Sequence, residues 1–127
     1  MKIKTAELTG LALDWALAVA MGLGPDIGRH CYARYVQYTD HKHNIVRALS
    51  HTDPAMCMRF IEGEKINIKH MRHSTDNRAV LACWGSVYEE SGYVQTFGSN
   101  TPEAVARCVV QMRLGDVVEI PDELVGG

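Results

Sequence analysis

Residues 100–124, "NTPEAVARCVVQMRLGDVVEIPDEL", carry the reading on which the fold turns. Thr101-Pro102 opens a helix, because proline suits the first turn and the residue before it is pushed to extended geometry. Glu103 lies in that first turn, where the helix dipole favours an acid. From there Ala104, Val105, Cys108, Val109 and Met112 form one apolar stripe, which leaves Glu103, Arg107 and Gln111 outside and Gly115 as terminator. "VVEI" before Pro121 then adds an edge strand. An amphipathic helix of this kind needs a sheet to cover.

The stretch upstream supplies one. "KINIKHM" (65–71), "AVLACWGS" (79–86) and "GYVQTFG" (92–98) are strand candidates. The middle one is apolar on both faces, with Val80, Ala82 and Trp84 set against Leu81 and Cys83, which predicts a central strand with layers on both sides. Before them, Asp53-Pro54 starts a helix, "PAMCMRFIE", with Met56, Phe60 and Ile61 on one face and Gly63 as its stop. The run α-β-β-β-α over 53–115 has the element order of a double-stranded-RNA-binding domain. That module grips phosphate with lysines at the start of its last helix, where this chain carries "NTPEAVAR".

Nearer the start, "LTGLALDWALAVAMG" fits period 2 as well as period 3.6. Alanines at 12, 16, 18 and 20 decide for a helix capped by Thr9, running through Met21 and ended by Gly22. Its only charge is Asp14, so it is apolar almost all round and must be covered by the domain or by a second subunit. A homodimer through Leu11–Met21 is the expectation. "GLGPDIG" reads as a turn, 31–38 as a strand, and 39–51 as a polar loop with a helical turn at Ile45–Leu49.

The fold class is therefore α+β: a small antiparallel sheet of three to five strands packed with about three helices, in one domain over residues 1–127. The bulk figures agree. With 127 residues, 46% apolar and 22% charged, the chain has the balance of an ordinary globular protein large enough to bury a core. Cys31, Cys57, Cys83 and Cys108 include no C-x-x-C pair and read as reduced, two of them as core positions of a strand and a helix. Leu11–Met21 is too short to span a bilayer, and "MKIKTAEL" lacks the apolar core of a signal peptide. No membrane role and a cytoplasmic location are expected.

No nucleophile motif occurs, so an enzyme is not expected, and neither is a cofactor. "GSNTP" (98–102) leads into a helix start, where free N–H groups either hold an anion or are capped by the chain. "HKH" and "HMRH" offer His41, His43, His70 and His73 as metal ligands, without the i, i+4 spacing of a helical zinc site. Net charge is −2, yet residues 29–51 concentrate bases against the single acid Asp40, while 116–123 carry four acids and no base. The two segments either pair with each other or face partners. In "GRHCYARYVQYTDHKHNIVR", Arg29, Arg34, Lys42 and Arg47 interleave with Tyr32, Tyr35 and Tyr38. Cations for phosphate beside aromatic faces for stacking suit a nucleotide or single strand. Tyr32, Arg34 and Tyr38 are placed on one side.

Two terminal stretches, "MKIKTAELTGLALDWALAVAMG" and "TPEAVARCVVQMRLGDVVEIPDEL", together with "HTDPAMCMRFIEGEKINI", resemble the NinX-like proteins, small bacteriophage and prophage proteins of unknown function. Thr5, Leu8, Gly10, Asp14 and Trp15 match the N-terminal motif and read as architecture. Pro54 stands where that family often has a tryptophan, and 29–47 has no counterpart. The resemblance implies a phage accessory protein in a bacterial cytoplasm that binds a host protein or a small ligand.

Overall fold

The computed structural model describes residues 1–72, 78–85 and 92–125. Its element order is β1 (Lys2–Lys4), α1 (Gly10–Ala20), β2 (Asp26–His30), β3 (Ala33–Asp40), β4 (Ile45–Leu49), α2 (Pro54–Gly63), β5 (Asn67–His70), β6 (Val80–Gly85), β7 (Tyr93–Gly98), α3 (Thr101–Leu114) and β8 (Val117–Glu119). Short 3-10 turns occupy Thr5–Glu7 and Asp122–Leu124. The class is α+β, but the strands divide into three antiparallel sheets, β1-β8, β2-β3-β4 and β5-β6-β7, rather than one.

α3 is the centre of the molecule. It packs against α1, α2, β6 and β7, and every residue from Ala104 to Val110 is buried. The helix is capped one residue earlier than the sequence suggests: Asn100 Oδ1 accepts from the Glu103 N–H at 3.0 Å, with Pro102 in the first turn. The Glu103 carboxylate in turn accepts from the Ser99 N–H and hydroxyl. The 98–102 segment thus caps its own helix start, with Asn100 on the Glu103 N–H and Glu103 on Ser99. Gly98 allows the close approach: a Cβ there would lie 2.5 Å from the Ala104 nitrogen.

Arg107, placed outside by its spacing, is 2% exposed. It reaches across the layer beneath, donating from Nε to the Leu8 carbonyl at 2.9 Å and from Nη1 to the Phe97 carbonyl at 2.8 Å, and it pairs with Glu103 at 3.1 Å. Arg107 is polar because it meets backbone carbonyls inside the fold, whereas Gln111 on the same stripe bonds the Asp116 side chain at the surface.

Strand β6 is central in its sheet. Val80, Ala82 and Thr96 are buried, and the Thr96 hydroxyl donates to the Ala104 carbonyl of α3; on the opposite face Arg78 lies 5.8 Å from the centre of the Phe97 ring. α2 begins as expected, with Asp53 accepting from the Ala55 N–H. Two strands were misread in the sequence. The "PDIG" turn continues into β2, which closes on β3 through a two-residue turn with Cys31 at φ 56°. Ile45–Leu49 is β4, not a helical turn, because it pairs residue for residue with Val36–Asp40. No helix among the described residues is long and apolar enough to cross a membrane.

All four cysteines are free: Cys57 and Cys108 buried, Cys83 partly buried and Cys31 exposed. Burial pushes the Cys108 thiol up to about 12 and raises that of Cys57. In native protein at about pH 8, iodoacetamide should alkylate Cys31 rapidly and leave Cys57 and Cys108 unmodified until unfolding. Equal rates at Cys31 and Cys108, read by peptide mass mapping, would contradict this core.

Candidate binding surfaces

Sheet β2-β3-β4 contains the basic, tyrosine-rich segment, and its register decides which side chains meet. Directly opposed residues share a face. Ile27, Val36 and Leu49 are in register and point to the core, with Val36 fully buried. The same face carries Arg29 opposite Arg34 at one end, and Tyr38 opposite Arg47 towards the other. His30 with Ala33, Gly28 with Tyr35, and Gln37 with Ala48 take the outer face.

The predicted constellation is therefore split. Tyr35 points away from Arg34 and Tyr38 because strand neighbours alternate. Tyr32 is fully exposed in the β2-β3 turn instead of sharing their side. Lys42 lies in the β3-β4 turn, where its N–H donates to the Asp40 carboxylate at 3.1 Å.

The arginines have partners. Arg29 Nη2 lies 2.6 Å from the Glu123 carboxylate, and Arg34 donates to the Glu123 carbonyl. Arg47 pairs with Asp40 at 2.9 Å. Of the alternatives the sequence left open, pairing holds for one tail acid, Glu123, while Glu119 and Asp122 face the N-terminal ammonium. Within the hairpin, hydrogen bonds from His43 and Arg47 hold the Asp40 carboxyl well below the usual carboxylate range, so the Asp40–Arg47 pair persists at neutral pH and is lost as acid titrates Asp40.

The histidine expectation divides in the same way. His43 Nδ1 bonds Asp40 at 2.9 Å, His41 and His70 are exposed, and His73 lies outside the described residues. Among the described residues no group of three or more His, Cys, Asp or Glu side chains converges as a metal site.

Turning Tyr35 outward creates a surface the sequence did not reveal. Its ring lies flat over Gly28, where a Cβ would come within 2.3 Å of Tyr35 Cε2. Around it His30, Ala33, Gln37, Val46 and Ala48 bound a shallow hollow of about 760 Å³. Val46 is 60% exposed, and among the described residues no strand pairs with the outer edges of β2 and β4. No family model matches this chain, and no curated protein does.

A second feature escaped the sequence reading. Asp14, the lone charge of α1, is buried, and its Oδ1 accepts from the His51 N–H at 2.7 Å and from His51 Nδ1 at 2.6 Å. A solitary carboxylate in an apolar helix was the available signal, since a buried charge requires a partner. Nothing local pointed to His51. Finally, a cavity of about 590 Å³ opens between β1, the start of α1, Arg34 and the last described residues, Leu124 and Val125.

Proposed function

We propose that this chain is a non-enzymatic binding protein, a phage or prophage accessory protein of the kind its terminal segments imply, acting in the bacterial cytoplasm. It engages a host protein through the outer face of β2-β3-β4. The support is this outer face itself: the Tyr35 ring with Ala33, Val46 and Ala48 about it, next to the outer edges of β2 and β4, which pair with no strand among the described residues. Such a surface is wide and shallow, as protein contacts are, and an aromatic at its centre is a typical anchor. Open edges also invite strand pairing with a partner. A nucleic-acid role through Arg29, Arg34 and Arg47 is less favoured, because Arg29 and Arg47 already face carboxylates. Self-association through Leu11–Met21 would have to use Leu11, Trp15 and Val19, since most of α1 is buried within its own chain.

Quantitative pull-downs from host lysate should compare the natural chain with Val46→Asp, Gly28→Ala and, as a control on α2, Met58→Asp. Val46→Asp should keep the fold, at a cost of about 1 kcal/mol or less, and lose the captured protein. Gly28→Ala should displace the Tyr35 ring, whose end is free to swing towards solvent, and weaken capture without added charge. An identical captured set from all four proteins would remove the β2-β3-β4 face from consideration.

A further inference from the structure

We propose that the cavity beside β1 is a binding site for a small amphipathic anion, with an apolar body and a carboxylate or phosphate head. Its volume of about 590 Å³ lies within the range of small-molecule sites. Leu8, Leu11 and Leu124 line it; Leu8 is fully buried and Leu124 6% exposed, so these walls belong to the fixed core. An apolar body would be received without rearrangement.

The rim is cationic. Lys2, Lys4 and Arg34 line it against one acid, Glu7. Arg34 donates to a carbonyl of Glu123, not to its carboxylate, and neither Lys2 nor Lys4 has an ion-pair partner among the described residues. Three cationic residues among the lining of an apolar hollow, against one acid there, favour an anionic head.

The backbone contributes as well. Bonds from Ile120 N–H to the Met1 carbonyl and from Thr5 N–H to the Asp116 carbonyl fix the odd positions of this segment towards β8. By alternation, the main-chain groups of Lys2 and Lys4 face away from β8, on the cavity side. β1 is only three residues long, too short an edge to hold an added peptide strand. A compact ligand therefore fits better than an extended one.

Octanoate and octyl phosphate are the probes, with octyltrimethylammonium as the cationic control, each below its micellar concentration. Both anions, or one of them, should raise the melting temperature by mass action and titrate calorimetrically at one per chain; the better head identifies carboxylate or phosphate. Lys2→Glu/Lys4→Glu, on an exposed strand, should weaken binding about tenfold or more, whereas Val46→Asp should leave it unchanged. Amide shifts in the natural chain should cluster at Leu8, Leu11 and Leu124, a readout independent of any variant. Absence of binding by both anions, equal binding of the cation, or affinity indifferent to the lysine reversals would overturn the site. Loss of host-protein capture in the experiment above would leave it untouched.

Discussion

Arg107→Ala should lower the unfolding free energy by about 3–5 kcal/mol and the melting temperature by roughly 10–20 °C. The guanidinium joins three parts of the chain that nothing else ties together in this way: the Leu8 carbonyl before α1, the Phe97 carbonyl of β7, and Glu103 on α3 itself. Truncation leaves two carbonyls short of a donor and a largely buried carboxylate short of its cation, and a group already desolvated recovers nothing from water. Burial draws the Arg107 pKa down, with Glu103 opposing, and the side chain is held charged by that neighbour. Arg107→Met separates packing from polarity: it keeps an apolar stem in place and should recover only part of the loss. Urea unfolding of both variants decides the matter. A cost below about 1 kcal/mol for the alanine would mean that water replaces the guanidinium, and the central position assigned to it would fail.

The same residue explains what the sequence could and could not disclose. The 3.6-residue period located α3, and its apolar stripe is in the core. Periodicity assigns Glu103, Arg107 and Gln111 to one polar stripe, but it cannot tell that Arg107 alone of the three turns inward to backbone carbonyls while Gln111 bonds at the surface. Likewise β5, β6, β7 and the start of α2 were legible because period 2 and Asp53-Pro54 are local signals, whereas the expected stop at Gly63 lies within the helix, whose C-cap is Glu64 with the positive φ on Lys65. β2 was hidden because its turn has no glycine; Cys31 takes the positive φ instead. β8 was legible as the "VVEI" edge strand, but β1 and its pairing with β8 across the two ends of the chain were not, because no local pattern reaches that far. At the candidate surface the residue types were visible but their facing was not: one strand register sends Arg34 to Glu123 and Tyr35 to the outer face.

Asp14→Ala should cost about 2–4 kcal/mol, the second largest effect expected in this chain. One carboxylate oxygen holds both the main-chain N–H and the ring Nδ1 of His51, so it staples α1 to the loop joining β4 and α2 with no water in easy reach. The arrangement requires Nδ1 to carry the proton. Alanine removes the acceptor and leaves a buried N–H unpaired; Asp14→Asn preserves an acceptor for that N–H and should cost about half as much. A cycle with His51→Gln should then return a coupling of about 1–3 kcal/mol. This result separates two readings of the "LDWA" segment. If Asp14→Ala destabilises strongly while a refolded, low-temperature sample still captures its partner, the aspartate is architecture, as its burial beneath the helix implies. If stability changes by less than about 0.5 kcal/mol and capture is lost, the pair is not a structural staple, and the binding surface must extend from β2-β3-β4 to the loop at His51.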